Sequence, residues 1–234
     1  EPLDILKGKI VFLLFYEPSS RTMASFDGAV KQLGGNTIVV TNPQQYSSVA
    51  KGESFKDTVR TFEAYCDLIV LRHPETGSAL KASKVAQFVP VINAGDGIGE
   101  HPTQALLDLY TIQERFGTLS GLKGVVAGDL LNGRTVHSLL QGLNFYPDNT
   151  VYLLAPKQLQ LPEGFKHSRL KLIRIEDVQD IPKDCNFWYW TRVQKERFKN
   201  TEDYEALNNR FVVTKELLKG RGNARNIVCP LHRW

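Results

Sequence analysis

Between Ile10 and Gly35 the chain changes its hydrophobic period once, and that change limits what can be built around it. Ile10-Val11-Phe12-Leu13-Leu14 is an unbroken apolar run with the length of a buried parallel strand. Met23, Phe26, Val30 and Leu33 then fall at helical spacing, and Gly34-Gly35 can end that helix. The hinge between the two, Phe15-Tyr16-Glu17-Pro18-Ser19-Ser20-Arg21-Thr22, carries hydroxyls at Ser19, Ser20 and Thr22 and a guanidinium at Arg21. Backbone amides at a helix start, the positive end of its dipole and an arginine fork together suit a phosphate or carboxylate. The plainer reading makes Ser19 or Ser20 an N-cap and Arg21 a solvated charge. It is preferred for any one of these residues alone, but four in succession at a strand's C-terminal end favour anion binding, because ligands of open α/β sheets sit there.

The same pattern recurs. Thr37 to Thr41 reads as a short β-branched strand, and Asn42 to Glu53 as a long polar loop without apolar periodicity. Ser54 with Asp57 resembles a capping box ahead of a helix that buries Val59, Phe62 and either Tyr65 or Cys66. Leu68 to Leu71 is a strand delivering Arg72-His73-Pro74, Ser78 to Gln87 a helix, and Val89 to Ile92 a strand ending in the turn Asn93-Ala94-Gly95-Asp96-Gly97. Pro102 then opens a long helix with Ala105, Leu106, Leu109, Ile112 and Phe116 on one face. Beyond Gly117-Thr118-Leu119-Ser120-Gly121 the alternation restarts, with strands at 125–127, 151–155, 171–173, 186–190 and 226–229 and a helix from Val136 to Leu143. Strand and helix alternating in this way imply βαβ units. The expected fold is α/β: two doubly wound parallel-sheet domains, residues 1–117 and 118–234, with the active site in the cleft between them.

Bulk properties narrow the ligand. The 234 residues carry a formal charge of only +4, and the basic residues form no stripe with interleaved aromatics, which argues for small anions and against nucleic acid. No apolar run approaches the length of a membrane helix, and the chain opens with Glu1-Pro2 rather than with a charged-then-apolar leader, so no targeting or spanning segment is expected. Cys66, Cys185 and Cys229 are three, widely spaced and without metal-ligand spacing, so a reducing compartment is expected and no zinc or disulfide framework. The missing initiator Met reads as a fragment or a processed domain.

Cationic and hydroxyl groups thus gather at four strand ends: Ser19 to Thr22, Arg72 with His101 and Gln104, Arg134, and Arg192 with Gln194. His101 taken alone fits a helix-cap or core histidine slightly better than a catalytic one, and Lys195 and Arg197 fit a solvated helix face as well as a site. Gly128 to Gly133 lacks the spacing of a dinucleotide loop. No nucleophile triad and no metal cluster stands out, so the chemistry left is positioning and electrostatic stabilisation of a polyanionic small molecule.

Read as a set, these segments resemble the aspartate carbamoyltransferase family. Phe15 to Thr22 resembles its carbamoyl-phosphate signature, usually S-T-R-T, and Lys51-Gly52-Glu53-Ser54, Leu71-Arg72-His73-Pro74, Asn93 to Gln104, Gly133 to Ser138 and Thr191 to Arg197 follow the family as well. Leu3 to Lys9 looks closest to the version fused into large eukaryotic multifunctional pyrimidine enzymes. The resemblance implies carbamoyl transfer from carbamoyl phosphate to the amine of L-aspartate, without a cofactor or metal. Ser19, Ser20, Arg21 and Thr22 would hold the phosphate; Thr22, Arg72, His101 and Gln104 would position the carbamoyl group, with a contact from the Leu231 carbonyl. Arg21, Thr22, Arg72 and His101 would be the catalytic set. Arg134, Arg192 and Gln194 would take the aspartate carboxylates. Ser47 and Lys51 would reach a neighbouring subunit's site, which implies a cytoplasmic homotrimer, in one version part of a multifunctional polypeptide.

Ornithine carbamoyltransferases share the phosphate site but usually have Cys where Thr103 stands and lack the Arg192-Val193-Gln194-Lys195-Glu196-Arg197 run. This chain departs from the aspartate pattern at Leu131, where Lys is usual, and at Cys229-Pro230-Leu231-His232-Arg233, where His-Pro-Leu-Pro-Arg is usual; Ser20 for Thr keeps the hydroxyl. The altered closing motif motivates a second reading, a catalytically impaired trimeric module that binds carbamoyl phosphate within a larger complex.

Overall fold

Ile10–Phe15 forms strand β1, buried from Val11 onward because a sheet covered on both faces has no solvent side. The computed structural model describes residues 3–46, 48–97, 99–165, 167–191 and 227–228. β1 pairs in parallel with β2 (Asn36–Thr41) on one flank and β3 (Leu68–His73) on the other, and β3 pairs in parallel with β4 (Val91–Asp96). The sheet order is β2-β1-β3-β4. Helices α1 (Ser20–Gln32), α2 (Pro43–Tyr46), α3 (Phe55–Glu63) and α4 (Ser78–Val85) alternate with these strands. Successive β1 side chains point to opposite layers. Val11, Leu13 and Phe15 join Val30, Met23 and Phe26 of α1, whereas Phe12 and Leu14 join Val59 and Phe62 of α3 and Ala79 and Ala82 of α4.

The second sheet is built the same way. β5 (Lys123–Ala127), β6 (Thr150–Leu154), β7 (Lys171–Ile175), β8 (Phe187–Trp190) and β9 (Ile227–Val228) are parallel in the order β7-β6-β5-β8-β9. Helices α5 (Pro102–Phe116) and α6 (Arg134–Leu143) cover one face. Both sheets are thus parallel, with flanking helices and a reversal of strand order, the α/β architecture that the alternation predicts.

The compact units are Glu1–Thr103 and Gln104–Trp234, so the chain divides in the first turn of α5, ahead of the Gly117 to Gly121 segment. The cause is packing: Leu109 and Ile112 of α5 belong to the core made by Val136, Leu139, Leu140 and Leu143 of α6 with Val126, Leu153 and Tyr189. Three local expectations change. Leu106 is exposed and Asp108 takes the inward position of α5 beside Ala105, Leu109 and Ile112. Residues Asn93 to Asp96 continue β4 instead of turning. The polar stretch after Asn42 is not structureless; it folds into α2 and a single 3-10 turn, Ser48–Lys51.

Ser54 does cap α3: its Oγ accepts from the Asp57 amide at 3.1 Å. At the other end of α3, Glu63 is 5% exposed, and Cys66, not the exposed Tyr65, joins the core. Glu63 Oε2 accepts from the Gln87 and Phe88 amides at 2.6 and 3.1 Å, and Oε1 from Arg60 Nη1 at 3.1 Å. Burial pushes the Glu63 carboxyl up, but these donors outweigh it and leave the group below the usual glutamate range. Its stabilising contribution is therefore present above the unfolded-state pKa of about 4.3 and lost as pH falls through the folded value. Glu63→Ala should cost about 1–3 kcal/mol at neutral pH by stranding two amides. The Tm gap between variant and wild type should narrow in acid; a gap of the same size at both pH values would refute this role.

Candidate functional site

The chain leaves β1 toward β2 on one side and reaches β3 on the other, so the connections diverge at the C-terminal ends of β1 and β3. A crevice at such a switch point is where open α/β sheets bind ligands. Phe15 is the register partner of Arg72, and the Tyr16 amide donates to the Arg72 carbonyl at 2.8 Å, which carries the pairing one residue past the strand. Four residues further on, α1 starts at Ser20. Ser19 holds the N-cap position, yet its side chain makes no capping hydrogen bond. The plainer reading of this hydroxyl as a cap is thus not what the structure realises. Helix α1 begins at the C-terminal end of β1, where first-turn amides are available to an anion in helices of this kind. Ser19 and Thr22 are half-buried, and Ser20 and Arg21 are exposed.

Arg72 is buried and fixed. Its Nη1 donates to the Ala94 carbonyl of β4 at 3.1 Å, and its Nη2 lies 3.3 Å from Glu17 Oε2. Glu17 was not among the residues the sequence singled out, although its place in the hinge was the available signal. Asp96 was missed for the same reason, having been read into a turn. Its Oδ2 accepts from the Gly77 amide and its Oδ1 from the Glu100 amide, both at 2.8 Å, and its carbonyl accepts from Gly99 at 2.9 Å. One buried carboxylate thereby joins the β3–α4 turn to the β4–α5 turn. His101 follows Glu100, is 7% exposed, and lies 3.4 Å through Nδ1 from Thr103 Oγ1. Ser19 to Thr22 follow β1, Arg72 lies near the end of β3, and His101 follows β4, so all of them stand toward the C-terminal edge of the first sheet.

In the second unit β5 leads to β6 on one side and is flanked by β8 on the other, so the switch point lies between β5 and β8. Thr191 closes it, donating from its amide and its Oγ1 to the Ala127 carbonyl at 2.8 and 3.0 Å. Gly128 has φ of 114°, and a Cβ there would stand 2.3 Å from the Thr191 carbonyl oxygen. Asp129, fully buried, accepts the Asn132 amide at 2.9 Å and shapes the turn that precedes α6. Arg134 is half-buried at the first position of α6. Gln104, in the first turn of α5, donates through Nε2 to Asp108 Oδ1 at 2.9 Å.

Lys51 is exposed at the end of its 3-10 turn. Ser47, Arg192, Gln194 and Leu231 lie outside the described residues. Among the described residues no group of three or more His, Cys, Asp and Glu could hold a metal ion, and no helix is long and apolar enough to cross a membrane. What is built among the described residues is a set of cationic and hydroxyl side chains near two switch points, an arrangement of the class found in transferases that position charged small molecules.

Comparison with known proteins agrees with that class. Residues 1–114 match the family model described as aspartate/ornithine carbamoyltransferase, carbamoyl-P binding domain. The chain is 46% identical over 224 residues to the aspartate carbamoyltransferase catalytic subunit of Methanocaldococcus jannaschii, covering 94% of this chain and 72% of that protein. It is 47% identical over 234 residues to the multifunctional protein pyr1-3 of Dictyostelium discoideum, covering 98% of this chain and 10% of that one. The solved structure of the M. jannaschii catalytic subunit in an orthorhombic crystal form superposes with a TM-score of 0.91 at 45% identity, over 100% of this chain and 76% of that chain. The chain belongs to the aspartate carbamoyltransferase family.

Gly128→Ala should cost at least about 1–3 kcal/mol from backbone strain alone and displace Thr191, the residue before Arg192. Thermal unfolding measures the cost. A Tm within a degree of wild type would show that the close approach at the β5–β8 switch point is not needed.

Proposed function

We propose that this protein transfers the carbamoyl group of carbamoyl phosphate to the amine of L-aspartate, giving N-carbamoyl-L-aspartate and phosphate for de novo pyrimidine synthesis. What supports the reading is that the Ser19 to Thr22 helix start follows β1 at the same switch point toward which β3 delivers Arg72. Ser19, Ser20, Arg21 and Thr22 hold the phosphate through hydroxyls, first-turn amides and a guanidinium. Arg72 and His101 polarise the carbamoyl oxygen, and Gln104 and the Leu231 carbonyl take the carbamoyl amine. The aspartate amine adds to the carbonyl carbon, and negative charge gathers on that oxygen in the tetrahedral intermediate. The C–O bond to phosphate then breaks, Arg21 stabilises the departing dianion, and the amine's proton passes to the phosphate. No protein nucleophile is required. Fixed cations aimed at charge that develops during the reaction supply the rate enhancement.

Arg134, Arg192 and Gln194 bind the aspartate carboxylates; a guanidinium at Arg192 pairs with a dicarboxylate and repels the ammonium group of ornithine. Ser47 and Lys51 serve the site of a neighbouring subunit in a homotrimer. The protein works in the cytoplasm, which accords with three scattered cysteines, and similarity to a multifunctional pyrimidine protein supports its being one part of such a polypeptide.

Formation of carbamoyl aspartate is the direct assay. Arg21→Ala and His101→Ala should each lower kcat by about 10²–10³-fold while the fold is retained. Turnover equal to wild type in both variants would sink the assignment.

A further inference from the structure

Gln104 can read a carbamoyl amine only if its side-chain oxygen, not its nitrogen, faces the ligand. An amide has a donor end and an acceptor end of nearly the same shape, so its orientation is set by its neighbours. One turn along α5, the Asp108 carboxylate offers acceptors only. Gln104 Nε2 donates to Asp108 Oδ1 at 2.9 Å, which leaves Gln104 Oε1 turned the other way. Asp108 is itself fixed: the Tyr189 hydroxyl donates to Asp108 Oδ2 at 2.9 Å. Tyr189 is fully buried on β8, where Val126 of β5 is its register partner.

The geometry points to Tyr189, Asp108 and Gln104 as a positioning relay that orients the Gln104 amide to accept a hydrogen bond from the carbamoyl amine, and so selects carbamoyl over acyl phosphates that lack it. The inference rests on the carbamoyl-transfer reading above. Asp108 and Tyr189 act through Gln104.

The position of Asp108 argues against a purely structural role. It is 1% exposed and stands on the inward face of α5 beside Ala105, Leu109 and Ile112, positions that are otherwise apolar. Burial raises its carboxyl to about 6, against the opposing hydrogen bonds from Gln104 and Tyr189. At neutral pH an ionised group is therefore kept where ionisation is costly. Its two oxygens contact a fully buried phenol and a residue one turn away that is only half-buried. Gln104 is thus the member of the three through which this cost can return as binding specificity.

The test compares binding of carbamoyl phosphate and acetyl phosphate, which carries a methyl group where the amine would be, to the full-length protein. Wild type should prefer carbamoyl phosphate. Gln104→Ala and Asp108→Leu should each reduce that preference at least about tenfold, and the double variant should lose no more than either alone. Asp108→Asn, whose oxygen can still accept from Gln104, should keep the preference within about threefold. Tyr189→Phe, which removes one oxygen and leaves Asp108 unanchored, should cut it about threefold. Asp108→Leu weakening both ligands by the same factor, or reducing the preference further in the Gln104→Ala background, would overturn the relay. If Asp108→Leu does not fold, Tyr189→Phe decides, and an unchanged preference there overturns it. A wild type that fails to prefer carbamoyl phosphate would overturn the carbamoyl-transfer reading instead.

Discussion

The pairing of β1 with β3 is the interaction on which the first unit depends. Sequence neighbours β1 and β2 also pair, but only the β1–β3 contact creates a point where two chain connections leave in opposite directions. Extending that ladder by the Tyr16 amide to the Arg72 carbonyl ties the backbone of the hinge to the backbone of the arginine that faces it. Side-chain bonds then fix the guanidinium, from Ala94 on one neighbouring strand and Glu17 on the other side. A cation held by its own sheet has little freedom left to lose on binding an anion, which is the preorganisation that the electrostatic role proposed for Arg72 requires. The core on both faces of β1 supplies the rigidity, since each fully buried Leu or Phe there contributes about 1.5–3 kcal/mol of transfer free energy.

The second unit solves the same problem with different chemistry. There the ladder past β5 and β8 is extended by Thr191, whose amide and hydroxyl both reach the Ala127 carbonyl, and the space for that double contact exists because residue 128 has no side chain. Glycine contributes conformational freedom at φ of 114°, and threonine contributes the bond. Asp129 next shapes the turn by accepting from Asn132, and α6 begins with Arg134. In both units the switch point is closed by backbone hydrogen bonds before any charged side chain is placed, so the cations inherit their positions from the sheets.

How much of this was legible in the sequence follows from which signals are local. Apolar runs, helical spacing, Pro102 at a helix start and the Ser54 cap are written in neighbouring residues, and they fixed the alternation and hence the fold class. The strand-to-helix hinge, with its run of hydroxyls and an arginine, was legible for the same reason. Less legible was any role created by contact between distant segments. Glu63 looked like one more charge on an amphipathic helix until Gln87 and Phe88 came to meet it. Asp96 looked like a turn residue, because Asp and Gly are turn formers by propensity, whereas tertiary contacts with Gly77 and Glu100 hold it in β4. The inward face of α5 differs from expectation at one position because Leu106 outscores Asp108 on hydrophobicity, and the buried carboxylate depends on donors from Gln104 and, far along the chain, Tyr189.

Buried carboxylates are the common thread among the residues that pattern reading missed, and their partners separate two uses. Glu63, Asp96 and Asp129 accept from backbone amides, so each removes a donor that would otherwise be stranded where the chain turns. A backbone amide cannot turn away, and the gain is stability of a turn. Asp108 differs, because both of its recorded partners are side chains, and a side chain that donates to it is prevented from adopting other rotamers or the flipped amide. A carboxylate that satisfies main chain shapes the scaffold, as Glu63 and Asp129 do even while they also accept from Arg60 and Asn132; one whose partners are all side chains selects a conformer. The first kind is expected wherever a loop is tight. The second, set inside a hydrophobic cluster and one turn from a residue at a helix start, has its physical rationale in what that residue binds.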